Sequence, residues 1–424
     1  MRPFGLILAG GGAKGAYQMG AWRAMLDLGV EFEAIAGTSI GAINGALIAQ
    51  GNFDKAMKFW GSAEVANGIN LPGELKANDN LFSFSNMPQI FHEVIKNGGV
   101  DVSPAKQIVA DNIDETVVRA NNIPLAIVTF DLNGMKPVEM FVDEMPEGTL
   151  VDYLMASARF PGLNNQGPED TKYIDGGVYD NAPLGVLRKK GINRLIVIDI
   201  SSRKGIGHKP DWSCADIIYI RPYDVQDLGA AFEFDKEMNE RRMSMGYYDT
   251  KKAFGYLYGL DYYFNENEYR KLLAEYGYKT CGQLEGLARS LGVERLQIYS
   301  AEAFIEAIKV AYLAKLEKQR EEERLKEEEK KNKKKKDKDS ADYEAPELTE
   351  IDEPDDESDP DSEADDEEKD GENKKEPGKF ALARSLFRRL RKKETIEELY
   401  PLALEIVYPT QTADETSEEQ SKIL

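Results

Sequence analysis

A glycine-flanked serine is the first stretch of this sequence whose residue types could carry out chemistry. Residues 37–41 read Gly-Thr-Ser-Ile-Gly, after an apolar run and before a run of small residues. This Gly-x-Ser-x-Gly pattern is typical of a nucleophile elbow, a strained turn between a strand and a helix that exposes the serine hydroxyl. The pattern predicts Ser39 as a nucleophile, and the alternative is a serine that only caps the following helix.

A nucleophilic serine needs a base that accepts its proton, and the sequence offers few candidates. The two histidines, His92 and His208, lie in a helix-like stretch and in a basic loop, so neither is the favoured base. Asp175 instead ends a short apolar stretch, Tyr-Ile-Asp-Gly-Gly, whose two glycines leave room for another residue to approach. Since burial raises the pKa of an aspartate, we expect Asp175 to accept the proton of Ser39. The alternative is a turn aspartate bonded to its own backbone.

A glycine-rich loop precedes the serine by one predicted strand. Residues 10–15 read Gly-Gly-Gly-Ala-Lys-Gly, after an apolar stretch and before a helical pattern. Gly10, Gly12 and Gly15 fit the G-x-G-x-x-G pattern of dinucleotide-binding folds, but the acidic residue expected after the second strand is missing. The backbone N–H groups of such a loop could instead stabilise a developing oxyanion at the helix N-terminus. A turn needed only for close packing is the third interpretation.

Lys14 lies inside this glycine loop, and three interpretations of it remain open. It could be the base of a serine–lysine enzyme, a cation that binds a phosphate or lipid headgroup, or a solvated side chain. The surrounding glycines favour a cation near a substrate over a base. We therefore group Lys14 with the loop glycines as a substrate-binding residue.

The elements that would position these residues alternate between strand and helix through about the first 200 residues. Continuous apolar runs predict buried strands, and helical spacing of apolar residues predicts helices between them. The predicted strands are FGLILAG, FEAIAG, PLAIVTFDL, PVEMFV, YIDGG and RLIVIDIS. This order predicts an α/β fold with three layers, α/β/α, around a mostly parallel central sheet.

The three motifs, in this order, resemble those of the patatin-like phospholipase family, bacterial type. GGGAKG at 10–15 is similar to that family's oxyanion loop, GTSIG at 37–41 to its elbow, and DGG at 175–177 to its aspartate turn. The stretches MASARFPGL and NAPL are further similarities, and the resemblance covers about residues 1–250. Arg159 and Phe160 are bulkier than the small residues expected before that family's proline turn.

The resemblance implies a serine acyl hydrolase that cleaves fatty-acyl esters of lipids or phospholipids without a metal or an organic cofactor. Ser39 would be the nucleophile, Asp175 the proton acceptor, and the amides around Gly11 and Gly12 the oxyanion hole. The implied oxyanion-hole and substrate-binding residues are Gly10, Gly11, Gly12, Lys14 and Gly15. The glycines of the elbow and the aspartate turn are Gly37, Gly41, Gly176 and Gly177. A nucleotide-binding module and a catalytically inert scaffold remain the alternatives.

Composition divides the chain into segments of different kinds. The net charge is −22, but residues 341–378 alone carry nineteen Asp or Glu and three Lys, so the remainder is only mildly acidic. Such an acidic stretch cannot bury enough apolar surface to remain ordered. The predicted organisation is an acyl hydrolase domain at 1–250, a helical extension at 251–318, a charged disordered linker at 319–378, a basic amphipathic helical segment at 379–408 and a polar tail at 409–424.

The basic segment bears on the predicted location and partners. Residues 379–393 contain seven Lys or Arg and no acid, and their apolar residues follow one helical stripe. This segment either lies on an anionic membrane surface or docks on a partner or on the acidic linker. No run reaches the roughly 18 apolar residues needed to span a bilayer, and Cys214 and Cys281 are expected to be free thiols. We expect a cytoplasmic protein, free or peripherally membrane-bound, with a lipid substrate and no nucleic acid.

Overall fold

The computed structural model describes residues 2–62, 100–101, 103–131, 133–134, 136–159, 163–164, 173–201, 216–231 and 233–341. Two compact units divide the chain, Met1–Tyr278 with Glu294–Ala301, and Lys279–Val293 with Glu302–Leu424. All the predicted site residues belong to the first unit. His92, His208, Cys214 and the predicted segments at 379–408 and 409–424 lie outside the described residues.

Strands and helices alternate through the first unit. The strands are β1 (Phe4–Leu8), β2 (Phe32–Thr38), β3 (Val100–Asp101), β4 (Leu125–Asp131), β5 (Lys136–Phe141), β6 (Leu163–Asn164), β7 (Tyr173–Asp175), β8 (Arg194–Ile198), β9 (Asp216–Ile220), β10 (Tyr263–Phe264) and β11 (Ile298–Tyr299). The helices are α1 (Ala16–Asp27), α2 (Ile40–Ala49), α3 (Phe53–Gly61), α4 (Ser103–Asn112), α5 (Glu115–Ala120), α6 (Leu150–Ser157), α7 (Leu184–Lys189), α8 (Lys236–Ala253), α9 (Glu266–Ser290) and α10 (Ala301–Ala341). Each predicted strand is present, within a few residues of its expected bounds.

The central sheet of the described residues has seven strands in the order β5-β4-β2-β1-β8-β9, with β7 also paired to β4. The five strands from β4 to β9 in this order run parallel, whereas β5 and β7 are antiparallel to β4. The predicted mostly parallel sheet is therefore confirmed. Because β1 and β2 are parallel neighbours, the loops that follow them leave the sheet side by side at one edge.

Both faces of the sheet are buried. On β1, Leu6 and Leu8 belong to one apolar core and Ile7 to the other, as the two-residue period of a strand requires. Buried residues of α1, α2, α3, α6 and α8 contribute to the first core, and those of α7 to the second. Helices on both faces make the three-layer α/β/α arrangement, which confirms the expected fold class.

The second unit contains helical segments, and one of them corrects the predicted linker. Helix α10 continues to Ala341, so residues 319–341 are helical rather than the start of a disordered linker. Glu, Lys and Arg are good helix formers, and pairs three residues apart, such as Arg324 with Glu321 at 2.6 Å, support this stretch. None of the helices in the described part of the chain combines the length and apolarity needed to cross a membrane.

Candidate active site

The turn between β2 and α2 holds Ser39 in a strained conformation. Its φ is 57° and its ψ is −129°, and among the described residues no other non-glycine residue has a positive φ. Such a conformation costs an L-residue of order 1–3 kcal/mol, so the surrounding structure must impose it. A Cβ atom at Gly41 would lie only 2.2 Å from the carbonyl oxygen of Leu8, which explains the glycine there. Gly37 packs directly against Gly41 on the other side of the turn.

A second serine holds the turn from behind. The N–H of Ser39 donates to Oγ of Ser157 at 2.8 Å, and the Ser157 hydroxyl donates to the carbonyl of Val128 at 2.6 Å. Ser157 is the last residue of α6 and is fully buried. Because its N–H is already bonded, Ser39 cannot use that group to stabilise an oxyanion. Ser157 was not among the predicted site residues, although it lies in the MASARFPGL similarity.

Asp175 reaches the serine from a strand that runs against the direction of its neighbour. It is the last residue of β7, where it is paired with Thr129 of β4. Its N–H donates to the carbonyl of Arg159 at 2.7 Å, and the short helical turn Gly176–Val178 begins directly after it. This turn contains the predicted Gly176 and Gly177.

The carboxylate of Asp175 accepts hydrogen bonds from the Ser39 hydroxyl and from the N–H of Gly177, the latter at 2.7 Å. Asp175 is partly buried as a whole residue, and its carboxyl group is the part withdrawn from water. This burial raises the pKa of Asp175 to about 6, against the opposing effect of the two hydrogen bonds. At neutral pH the carboxyl group is therefore mostly ionised, yet it is a stronger base than an exposed aspartate.

The glycine loop lies next to the serine turn. A Cβ atom at Gly10 would lie 3.0 Å from Cβ of Ser39, so the two backbones nearly touch. Asn181 fixes this end of the loop, because its side-chain amide donates to the carbonyl of Gly10 at 3.1 Å and its own carbonyl accepts from the N–H of Gly10 at 3.3 Å. The Asn181 side chain was not predicted as a site residue, although it begins the NAPL similarity.

Two amides of this loop have no acceptor among the residues that the structure describes. Within the described residues, the N–H groups of Gly11 and Gly12 make no hydrogen bond. Gly12 has a φ of 60° and begins the short helical turn Gly12–Gly15, whose axis leads into α1. Unpaired backbone donors near a serine hydroxyl are groups that could bind a negatively charged oxygen.

The rest of the loop is held by a buried polar network. Asn44 of α2 donates to the carbonyl of Gly15 at 3.0 Å and accepts from the indole N–H of Trp60 at 2.9 Å. Gln18 donates to the carbonyl of Ala9 at 2.7 Å. Lys14 is buried and has interaction partners of its own, so the interpretation of Lys14 as a solvated side chain is wrong.

Arg159 contacts the aspartate through its backbone. Its carbonyl accepts the N–H of Asp175, and its Nη1 atom is buried with no hydrogen-bond partner among the described residues. Burial lowers the pKa of this guanidinium group. Buried polar atoms are nearly always paired, so an unpaired guanidinium nitrogen is a candidate contact for an anionic ligand. The bulk of Arg159 was noted in the sequence, whereas its missing partner is evident only in the structure.

The structure thus brings Ser39, Asp175 and the glycine loop together at one edge of the sheet. A strand–serine–helix turn of this kind in a parallel sheet is typical of α/β serine hydrolases. The dinucleotide-binding alternative would need an acid after β2, but β2 runs directly into the serine turn. Among the described residues, no cluster of three or more His, Cys, Asp or Glu could hold a metal ion.

Comparisons with known proteins agree with this class. A family model described as patatin-like phospholipase matches residues 6–188. The chain is 28% identical over 203 residues to patatin-like phospholipase domain-containing protein 7 of Rattus norvegicus, covering 47% of this chain and 14% of that protein. It is 24% identical over 208 residues to lysophospholipase NTE1 of Mycosarcoma maydis, covering 47% of this chain and 10% of that protein. Among solved structures, VipD from Legionella pneumophila matches with a TM-score of 0.37 and 13% identity, over 73% of this chain and 80% of that chain.

Residues 6–188 therefore match the patatin-like phospholipase family, as the three motifs predicted. The chain spans only about a seventh of the length of the rat relative and a tenth of the fungal one. The family match also ends before β8, β9 and α8, which complete the sheet and its helical cover.

Proposed function

We propose that this chain is a serine acyl hydrolase that cleaves fatty-acyl esters of lipids through Ser39 and Asp175. The observation that carries the proposal is the hydrogen bond from the Ser39 hydroxyl to a carboxylate whose pKa is raised to about 6. A base with a pKa near the working pH is the one best suited to accept and return a proton. The unpaired amides of Gly11 and Gly12 beside it support an oxyanion hole.

Acylation involves the serine, the aspartate and the two amides in turn. The Ser39 oxygen attacks the ester carbonyl carbon while its proton moves to the carboxylate of Asp175. The carbonyl oxygen takes up the electron pair and becomes an oxyanion, which the amides of Gly11 and Gly12 stabilise. When the tetrahedral intermediate collapses, the alcohol leaves with the proton from Asp175, and the acyl group stays on Ser39.

Deacylation repeats the sequence with water. Asp175 accepts a proton from a water molecule, whose oxygen attacks the acyl-serine carbonyl. The same amides stabilise the second tetrahedral oxyanion. Its collapse releases the fatty acid, and Asp175 returns the proton to Ser39. No metal or cofactor takes part in this scheme.

Arg159 favours a phospholipid or lysophospholipid over a neutral glyceride. Its carbonyl is hydrogen-bonded to Asp175, so the residue lies one backbone contact from the proposed base. The phosphate of a glycerophospholipid is only a few bonds from its esters, and guanidinium groups bind phosphate oxygens in a matched geometry. The names of the rat and fungal relatives, which contain phospholipase and lysophospholipase, fit this substrate class.

The first test is reaction with a fluorophosphonate probe, which labels activated serines. We expect the full chain to be labelled at Ser39, and Ser39→Ala to lose labelling. Ser244→Ala on α8, which changes a serine remote from the sheet edge, is the matched control and should label normally. Tight binding of NAD with no labelling would instead support the nucleotide-binding alternative. The absence of both labelling and NAD binding would support an inert scaffold.

The second test addresses the substrate. The ratio of kcat/KM for a lysophospholipid to that for a monoacylglycerol of the same chain length should fall about 10- to 100-fold in Arg159→Gln, since hydrogen bonds to charged groups contribute about 1.5–3 kcal/mol. Arg23→Gln, which changes an exposed arginine on α1, should leave the ratio unchanged. An unchanged ratio in Arg159→Gln would show that Arg159 does not contact the headgroup.

We also propose that residues 379–393 contact either an anionic membrane or a protein surface. This segment lies outside the described residues. Its seven basic residues and the helical spacing of its apolar residues support the proposal. Binding to phosphatidylcholine vesicles with and without phosphatidylserine should be compared for the full chain and a chain ending at Ala341. Equal binding of the two chains would rule out the membrane role.

A further inference from the structure

Arg242 is a fully buried arginine on α8, beyond the residues that match the family model. Its guanidinium group donates to the carbonyls of Leu228 at 2.7 Å, Glu233 at 2.6 Å and Ala230 at 3.3 Å. It also donates to the side chains of Asn239 at 2.9 Å and Glu233 at 3.2 Å. Burying a guanidinium group is costly, so these five contacts must compensate for its lost hydration.

These contacts organise one backbone segment, the 228–233 loop. Three of the five acceptors are carbonyl oxygens of that loop, so Arg242 acts as a cross-brace for its backbone. Glu233 adds an internal contact, since its carboxylate also accepts from the N–H of Ala230 at 3.2 Å. Without the guanidinium group, the buried carbonyl of Leu228 and the partly buried carbonyls of Ala230 and Glu233 would lose this donor, although Ala230 would keep the N–H of Glu233 at 3.3 Å. The loop would rearrange to pair these carbonyls.

The same loop touches the glycine loop directly. The carbonyl of Ala231 accepts from the N–H of Ala13 at 2.7 Å. A Cβ atom at Gly12 would lie 2.2 Å from that carbonyl oxygen, so Gly12 rests against it with no space between. Any shift of Ala231 must therefore shift Gly12 and Ala13, and with them the amides proposed as the oxyanion hole.

We propose that Arg242 is a positioning residue for the oxyanion hole, acting through the 228–233 loop. The inference rests on the proposed function, since it assigns a purpose to the geometry of Gly11 and Gly12. Donors of an oxyanion hole act only when charge develops on the carbonyl oxygen, so their misplacement lowers kcat and leaves KM nearly unchanged. The sequence gives no hint of this role, because long charged residues usually lie on the surface.

The test compares steady-state kinetics of Arg242→Gln and Arg242→Lys with the wild type, using a p-nitrophenyl acyl ester. Losing one oxyanion donor typically lowers kcat by 10²–10³, so displacing the hole should lower it by about 10- to 100-fold in Arg242→Gln. KM should stay within about threefold, and Arg242→Lys should recover part of the loss because its ammonium group keeps the positive charge and can donate to the loop carbonyls. The acid limb of the pH–rate profile should keep its midpoint, since Asp175 is not displaced.

Two control variants separate positioning from general loss of stability. Tyr263→Phe removes a buried hydrogen bond to Asp249, which is not one of the Arg242 contacts, and should lower the free energy of unfolding while kcat is retained. Glu233→Ala removes the smaller brace of the same loop, and it provides a second test where Arg242→Gln fails to fold. We expect a kcat decrease of about three- to tenfold for Glu233→Ala, again with little change in KM.

The outcomes distinguish this inference from the proposed function. A wild type without Ser39-dependent turnover would contradict both. An active wild type with unchanged kcat in Arg242→Gln or, where that variant does not fold, in Glu233→Ala would overturn only the positioning role. Equal changes in kcat and KM, or a shifted acid limb, would likewise overturn it, because they indicate a general disturbance of the site.

Discussion

Two aspartates in the first unit have a pKa raised by burial, and only one of them belongs to the candidate site. Asp175 contacts the hydroxyl of a strained serine and one backbone N–H group. Asp249, on α8, accepts from the hydroxyl of Tyr17 at 2.8 Å and from that of Tyr263 at 2.8 Å. Burial raises the pKa of both carboxyl groups.

The difference lies in the donors rather than in the acids. Both donors of Asp249 are buried phenols of the core, and burial raises the pKa of each tyrosine well above its ordinary value. These hydroxyls cannot give up a proton at neutral pH, so the cluster links α1 to α8 and is structural. Asp175 instead faces a hydroxyl beside two amides that have no acceptor in the described part of the chain. A raised pKa therefore reports burial, and the chemistry is indicated by what surrounds the carboxyl group.

The largest expected effect separates the two aspartates by activity. Asp175→Asn should lower kcat about 10³-fold, because the amide cannot accept the serine proton and general base catalysis contributes 10²–10⁴. Asp249→Asn should leave kcat of the folded protein within about threefold of the wild type. Turnover of a chromogenic ester, with folding checked by circular dichroism, measures both. Comparable losses in the two variants would remove the distinction.

The second-largest expected effect concerns stability, for which Asp249 rather than Asp175 should be important. Asp249→Ala leaves two buried tyrosine hydroxyls without an acceptor, so we expect the free energy of unfolding to fall by about 3 kcal/mol. Tyr17→Phe, which removes only one of these hydrogen bonds, should show a smaller decrease of about 1 kcal/mol. Urea unfolding at pH 7 measures these changes. A decrease for Asp249→Ala no larger than that for Tyr17→Phe would mean that the cluster does not stabilise the fold.

The pH dependence of kcat/KM and of the free energy of unfolding should further distinguish Asp175 from Asp249. Because Asp175 must be ionised to accept a proton, kcat/KM should rise with pH and level off with a midpoint of about 6. The folded state binds this proton more tightly than the unfolded state, whose aspartate has a pKa near 3.8. The free energy of unfolding should therefore fall as pH rises between these two values, by on the order of 1–2 kcal/mol.

Asp175→Asn removes that ionisation and serves as the control for the pH experiment. Its urea midpoint should depend less on pH between about 4 and 6 than that of the wild type. Asp249 contributes to the same slope in both proteins, so the comparison isolates Asp175. An acid limb with a midpoint near that of an exposed aspartate would show that the carboxyl group is not withdrawn from water.

The smallest expected effect concerns the strain at the serine turn. With a φ of 57°, position 39 suits glycine better than any L-residue, so Ser39→Gly should be more stable than Ser39→Ala by about 1 kcal/mol. At Ser244, in the middle of α8, the order should reverse, with glycine about 1 kcal/mol less stable than alanine. Both Ser39 variants should be inactive. Equal stability of the two would mean that the turn stores no strain.

Much of the site could be predicted from the sequence because its motifs follow apolar strands. Parallel strands end at one edge of the sheet, so the glycine loop after β1 and the serine after β2 had to be neighbours. The antiparallel direction of β7 could not be predicted, since three residues carry no periodicity, yet this direction determines how Asp175 reaches Ser39. Ser157 was missed because its partners, Ser39 and Val128, are distant in sequence. Arg242 was missed because long charged residues usually lie on the surface.

The pairing of β1 with β8 decides how short a useful piece of this chain can be. Gly5–Leu8 of β1 pair with Leu195–Ile198 of β8, which lie beyond the end of the family match at residue 188. A fragment that ends at residue 188 would leave β1 as an edge strand with unpaired backbone amides. Such an edge favours aggregation. Expression trials should therefore extend at least through Ala253, where α8 ends, so that both the sheet and the brace on the glycine loop are complete.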